Sequence, residues 1–284
     1  IAWSLSLGSA LPYPRMLPGV VIGATIIFLT GLFDDLKGVK PLSKLVAQTT
    51  AALCVVGYGF QIESIAIAPN GDLLSLGALS VPITVLWIVG MTNAFNLIDG
   101  VDGLAGTIAL IALTVAIGTD MFLHDYRSLF ITTAMLGAIF GFLRFNNSPA
   151  RIFLGDSGSM TIGFFLAIRL VISATEPSTG ATYAFIPIFA LAFPLLDTFI
   201  AMARRWLRGH PFSRADGRHV HHQLLGLGLD SRQTVNVLGV FFGAIAALGV
   251  SVVFAPPRLT IALILGTGAL MFASVFYGTR WLRY

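Results

Sequence analysis

Charge is what this chain has least of. Lys, Arg, Asp and Glu together make up 11% of its 284 residues, where a soluble domain of that length carries about a quarter. With 56% hydrophobic residues and a mean hydropathy of +0.87, this excludes an ordinary water-soluble domain and leaves an integral membrane protein. Cysteine is nearly missing too. The single Cys54, set in an apolar run, excludes a disulfide framework and a cysteine-based metal site. There is no P-loop, no Gly-x-Gly-x-x-Gly, no Gly-x-Ser-x-Gly and no Ser-His-Asp pattern. These residues show no signal-peptide pattern, and no soluble domain or internal repeat is read among them.

What is present is a series of apolar stretches long enough to span a bilayer as helices. They fall at about 17–33, 45–62, 80–95, 104–121, 128–146, 159–175, 183–203, 233–255 and 259–280. The opening 1–11 is too short to span and reads as the tail of another helix. The expectation is an all-α polytopic membrane protein with about ten transmembrane helices, the first truncated. Residues 1–284 then form one membrane domain whose own N-terminal helix lies upstream.

The loops alternate in charge. One set carries Lys37, Lys40, Lys44, Arg144, Arg151, Arg204, Arg205, Arg208, Arg214, Arg218, Arg232, Arg280 and Arg283, thirteen of the seventeen basic residues. Basic loops stay in the cytoplasm, so this set faces it. Asp34, Asp35, Asp99, Asp102, Asp156, Asp216 and Asp230 fall on the same side. Glu63, Asp72, Asp120, Asp125 and Glu176 fall on the other and read as solvated loop acids. Asp197, alone inside an apolar span, is either a buried structural acid or part of a site. Arg169, also inside a span, snorkels or pairs.

Four polar constellations gather on the basic side. Asp34-Asp35 end a span ahead of Gly38, Pro41 and Lys44. Adjacent carboxylates repel, and either a divalent metal or use of one as a base relieves the pair; a plain charged rim is the competing reading. In Asn93-Ala94-Phe95-Asn96-Leu97-Ile98-Asp99-Gly100-Val101-Asp102-Gly103-Leu104, amides and carboxylates recur every third residue. If helical, they share one face; if the glycines open the helix, they line a tight turn. Such groups beside a bilayer need partners. Phe153-Leu154-Gly155-Asp156-Ser157-Gly158-Ser159 precedes a span and offers a helix start for an anion and a carboxylate for Mg²⁺, or else a simple capping turn. His210 to His222 concentrates four of the five histidines with Arg214 and Arg218. Zinc normally draws on other spacings, so binding of a diphosphate by Arg and His is the better reading.

Together these motifs resemble the polyprenyl-phosphate N-acetylhexosamine-1-phosphate transferase family, whose active site lies on cytoplasmic loops at the inner membrane of bacteria. Asp34 to Lys44 is similar to its Asp-Asp-x-x-x-Gly-x-x-Pro-x-x-Lys pattern. Residues 93–104 match Asn-x-x-Asn-x-x-Asp-Gly-x-Asp-Gly-Leu at every fixed position, and 153–159 match Phe-x-Gly-Asp-x-Gly-Ser. His219-Val220-His221-His222 resembles the branch using UDP-GlcNAc; the branch using UDP-MurNAc-pentapeptide has three consecutive histidines. Gly217, between Asp216 and Arg218, departs from some relatives.

The resemblance implies transfer of a sugar-1-phosphate from a UDP-N-acetylhexosamine to undecaprenyl phosphate, with release of UMP. It also implies Mg²⁺ as the expected cofactor, with Mn²⁺ as a candidate substitute. Asp34, Asp35 and Asp156 become the catalytic and metal-binding residues. Lys44, Asn93, Asn96, Asp99, Asp102, Arg218, His219, His221 and His222 become the substrate-binding ones. The lipid bilayer and a homodimer fit as partners; nucleic acid does not. The family's N-terminal helix and following loop are expected upstream of this chain. A transporter with broken helices is the competing class, but its acids belong at mid-membrane rather than along one edge.

Overall fold

The computed structural model describes residues 16–66, 73–175 and 219–256, with isolated positions between 189 and 205 and between 259 and 269. Eight helices are described over the three continuous stretches: α1 (Leu17–Lys37), α2 (Pro41–Gly57), α3 (Ser80–Ile98), α4 (Leu104–Phe122), α5 (Tyr126–Asn146), α6 (Gly155–Thr175), α7 (Val220–Gly226) and α8 (Ser231–Phe254). Segments of α1, α3, α4, α5 and α8 are each long and apolar enough to cross a membrane. Helices suit that setting because they satisfy every backbone group internally. The expected spans 183–203 and 259–280 lie largely outside the described residues.

Several boundaries differ from the hydropathy reading, for local reasons. The second helix runs from residue 41 rather than 45, because Pro41 at its start is compatible with a first turn that needs no N–H donor. The third continues to Ile98, and the sixth begins at Gly155. Not all is helix: Ser64–Ala66 (β1) and Leu73–Ser75 (β2) form a small antiparallel hairpin with Ile65 opposite Leu74. The Ile62 N–H donates to Thr84 Oγ1 at 2.9 Å, which ties the approach to this hairpin to α3.

Close helix approach depends on small residues. Gly19, Gly23 and Gly31 lie along one buried stripe of α1 with Ile27. A β-carbon on Gly23 would sit 2.6 Å from the Phe164 ring, and one on Gly31 would overlap the Ser157 backbone. Without solvent to drive association inside a bilayer, such intimate packing is what holds helices together. Accordingly α1 packs on α2 and α6, α3 on α2 and α6, and α4 on α5, α6 and α8. The shared core runs from Ile27, Val55 and Met91 through Phe95, Leu104 and Ala112 to Phe164 and Leu166.

The end of the bundle away from the basic loops corrects the reading of its acids. Asp120 is not a solvated loop residue: it is 1% exposed and forms a buried ion pair with Arg169. Thr132 completes the arrangement, accepting from Arg169 Nε at 2.8 Å and donating to Asp120 at 3.2 Å. Arg169 therefore pairs, joining α4, α5 and α6. Asp125 caps α5 by accepting from the Ser128 N–H at 3.1 Å, a role typical of this residue type.

Removing one member of a buried ion pair strands the other charge, at a cost of about 3–5 kcal/mol, whereas replacing both with apolar groups is often neutral. Arg169→Met is therefore expected to lower the thermal midpoint of the detergent-solubilised protein sharply. Arg169→Met/Asp120→Leu should recover most of the loss. Equal losses in the single and double variants would contradict this account of the pair.

Candidate active site

The basic end of the bundle gathers side chains from α1, α2, α3 and α6. Asp34 and Asp35 lie in the last turn of α1, which Gly38 ends in a left-handed conformation (φ 72°). Their adjacency sends the two carboxylates in different directions. Asp35 accepts from the backbone N–H groups of Asp156 at 2.8 Å and Ser157 at 3.1 Å, capping α6 from another helix. Those N–H groups have no partner within their own helix. Gly155, at φ 66°, makes room: a β-carbon there would lie 2.8 Å from Asp35 Oδ2.

Asp34 faces the interior of the cluster. Lys44 Nζ donates to Asp34 Oδ2 at 2.6 Å and also bonds Asp156 Oδ2. The Val39 N–H holds the other Asp34 oxygen. Asp156 Oδ1 accepts from Asn96 Nδ2 at 2.8 Å, and the same amide donates to Ser159 Oγ at 3.0 Å. Lys44 occupies the first turn of α2, where the helix dipole disfavours a cation by about 0.3–1 kcal/mol; two carboxylates offset that. The pairing joins residues 112 positions apart in the sequence.

The remaining expected residues divide. Asn93 faces Gln48, with reciprocal amide bonds of 2.6 and 3.2 Å, and also donates to the Val89 carbonyl at 2.8 Å. It locks α2 to α3 beneath the cluster. Asn93 and Asn96 are helical, while Asp99 and Asp102 lie in the α3–α4 turn closed by Gly103 at φ 83°. Asp102 accepts from the Ala150 N–H at 3.0 Å and so braces the α5–α6 loop. His219, His221 and His222 stand at the start of α7, and the His221 ring abuts Gly100 of the same turn. Arg218 lies outside the described residues.

Two positions escaped the sequence reading. Gln48 is the only amide within α2, one turn beyond Lys44; that isolation was its available signal. Buried Asn146 accepts from the Gly103 N–H at 3.0 Å and donates to the Ile152 carbonyl at 2.9 Å. Nothing in its helix-end context marked it.

Burial, followed by the negative charges of Asp156, Asp35 and Asp102, raises the Asp99 carboxyl to about 6. Burial and neighbouring His222 lower the His221 imidazole to about 4, against a weaker opposing pull from Asp197. Among the described residues no three His, Cys, Asp or Glu side chains form a metal cage. Asp34 and Asp156, both facing Lys44, instead offer a sparse pair of hard oxygen donors. That pair fits Mg²⁺, which takes one or two carboxylates and completes its shell with water and phosphate oxygens.

An acid whose folded pKa is raised contributes stability below its unfolded pKa and loses it as pH climbs through the folded value. Thermal midpoints should thus fall between about pH 4 and pH 6 in the wild type and be flatter in Asp99→Asn, which becomes the more stable of the two above pH 6. Parallel midpoint curves would contradict the Asp99 shift. Gly31→Ala should displace the first turn of α6 and reduce turnover about 10-fold or more, since small misplacements at a reacting centre are costly. Unchanged turnover would show that this crossing does not set the site.

The glycosyl transferase family 4 model matches residues 17–174. The chain is 34% identical over 235 residues to the probable undecaprenyl-phosphate N-acetylglucosaminyl 1-phosphate transferase of Bacillus subtilis, covering 82% of this chain and 64% of the relative. It is 33% identical over 293 residues to the decaprenyl-phosphate N-acetylglucosaminephosphotransferase of Mycobacterium tuberculosis, covering 94% and 72%. With the phospho-N-acetylmuramoyl-pentapeptide-transferase of Streptococcus thermophilus it shares 31% over 252 residues, covering 82% and 72%. The chain thus spans about two thirds of the length of these curated relatives. With its motifs converging at one end of a membrane-type helix bundle, the chain belongs to glycosyl transferase family 4, among the polyprenyl-phosphate N-acetylhexosamine-1-phosphate transferases.

Proposed function

We propose that the protein transfers N-acetylglucosamine-1-phosphate from UDP-GlcNAc to undecaprenyl phosphate at the cytoplasmic face of the inner membrane, releasing UMP and starting a lipid-linked envelope glycan. The observation that carries this reading is the convergence of Asp34 and Asp156 on Lys44 at the basic end of the bundle. It joins a negative cluster suited to a cation with a surface at which a lipid phosphate and a soluble nucleotide meet. The names of the relatives supply the acceptor class and the transferred group.

In this reaction an acceptor phosphate oxygen forms a bond to the sugar-bearing phosphorus of the donor. The bond from that phosphorus to the UMP oxygen breaks. A phosphate monoester has its second pKa near 6, so the acceptor is mostly dianionic at neutral pH. The chain's main task is then managing charge rather than removing a proton, and positioning with electrostatic stabilisation dominates such transfers. Asp34 and Asp156 would hold Mg²⁺, which when bound would neutralise the donor diphosphate, and the Asn96 amide orients Asp156. Lys44 moves its charge from carboxylates to the acceptor phosphate. Asp35 maintains the start of α6, and with it the position of Asp156. Asp99 and the His219–His222 segment border the donor side, with Asp102 bracing the adjoining loop.

Full-length purified protein given UDP-[³H]GlcNAc, undecaprenyl phosphate and Mg²⁺ should move label into lipid and lose that activity with EDTA. Asp156→Asn should reduce transfer by about 10²–10³-fold or more with its thermal unfolding still cooperative. Wild-type-like turnover in Asp156→Asn would remove that residue from the chemistry. Transfer from UDP-MurNAc-pentapeptide in a parallel reaction, and none from UDP-GlcNAc, would reassign the donor.

A further inference from the structure

The lone carboxylate inside the apolar stretch Phe193-Pro194-Leu195-Leu196-Asp197-Thr198 is 2% exposed and accepts two bonds from the start of α7. His219 Nδ1 lies 2.7 Å from Asp197 Oδ2, and the Val220 N–H donates to Oδ1 at 3.2 Å. The Val220 N–H is a donor of fixed polarity. The His219 proton follows from its partner, because a carboxylate accepts and Nδ1 must then carry hydrogen. In the neutral ring, Nε2 is then left as the acceptor.

The consequence reaches the α3–α4 turn. The His219 and His221 rings stack nearly parallel, 5.7 Å apart at 5°. The His221 ring abuts Gly100, where a β-carbon would lie 2.7 Å from Nε2. His221 is 1% exposed, and among the described residues neither of its ring nitrogens has a hydrogen-bond partner. A buried polar atom in that condition is costly unless a ligand satisfies it. Thus a carboxylate anchored in an apolar segment orders a histidine pair beside Asp99 and Asp102.

We propose that Asp197 is a positioning residue for donor recognition: it holds His219 in the Nδ1–H tautomer, so that Nε2 accepts a hydrogen bond from a hydroxyl or amide N–H of the donor's sugar. The donor's identity rests on the transferase reading above; the tautomer does not. An imidazole presented this way discriminates among sugars by their hydrogen-bond donors rather than by phosphate charge. A site built to pair a buried polar group rejects analogues that leave it unpaired.

Two independent measurements decide the matter on full-length protein in nanodiscs. With ¹⁵N-labelled histidine, NMR should show His219 protonated at Nδ1 in the wild type. In Asp197→Asn the single carbonyl oxygen goes to the Val220 N–H, its amide faces Nδ1, and the signal should change to the Nε2–H tautomer. The same tautomer in both proteins overturns the proposal. Kinetically, Asp197→Asn should raise KM for the UDP-sugar about 10-fold or more while KM for undecaprenyl phosphate stays unchanged, the signature of lost donor binding. His219→Asn keeps a donor for Asp197 but lacks Nε2, so it should fold and show the same selective rise even if Asp197→Asn does not fold. The Asp197→Asn/His219→Asn double variant should be no worse than His219→Asn alone, as expected when one residue acts through the other. Additive losses, or equal rises in both KM values, would reduce Asp197 to a structural role. If the wild type transfers nothing from UDP-GlcNAc, the proposed reaction fails, and the NMR comparison still decides the role of Asp197.

Discussion

The seat of α6 on the end of α1 is the constraint from which the rest of the site follows. Gly31 lets the two backbones approach where any side chain would collide with Ser157. Asp35 then closes the crossing by accepting from two first-turn N–H groups of α6, those of Asp156 and Ser157. Only with that seat formed does Asp156 come within reach of Lys44 and Asp34. One of the paired aspartates thus builds the helix junction, while its neighbour faces Lys44. Adjacent carboxylates that would otherwise repel are separated by giving one of them backbone donors.

A second pattern is the anchoring of polar groups in pairs beneath the reactive surface. Gln48 and Asn93 satisfy each other between α2 and α3, and Asn146 joins the α3–α4 turn to the α5–α6 loop. At the far end Arg169, Asp120 and Thr132 do the same for α4, α5 and α6. Inside a membrane each such group has a high desolvation cost if left alone. Satisfied pairs therefore become rigid struts, and a rigid frame suits a reaction that depends on position and charge.

Much of the helical layout was legible because a bilayer demands long apolar runs, and those runs are visible without any tertiary knowledge. Helix ends were less legible. Pro41 and Gly155 shift boundaries by about four residues through local backbone preferences that hydropathy averages away. The hairpin around Ile65 carried too short an alternation to separate from loop. Asp120 was misjudged because an acid near the end of an apolar run looks solvated until a cation from a distant helix is brought beside it.

The spacing of Asn, Asp and Gly between 93 and 104, together with Asp34-Asp35, Gly155-Asp156 and the histidine cluster, determined the family and the residues worth naming. These are local patterns, each contained within about a dozen positions. What only the tertiary structure decided is the division of labour among them: Asp35 as a cap, Asn93 as a strut, Asp102 as a loop brace, and Asp34 with Asp156 as the facing pair. That division depends on partners as far away as 122 residues in the chain. Side-chain direction and hydrogen-bond satisfaction at such separations are set by how the helices cross, which no local spacing encodes.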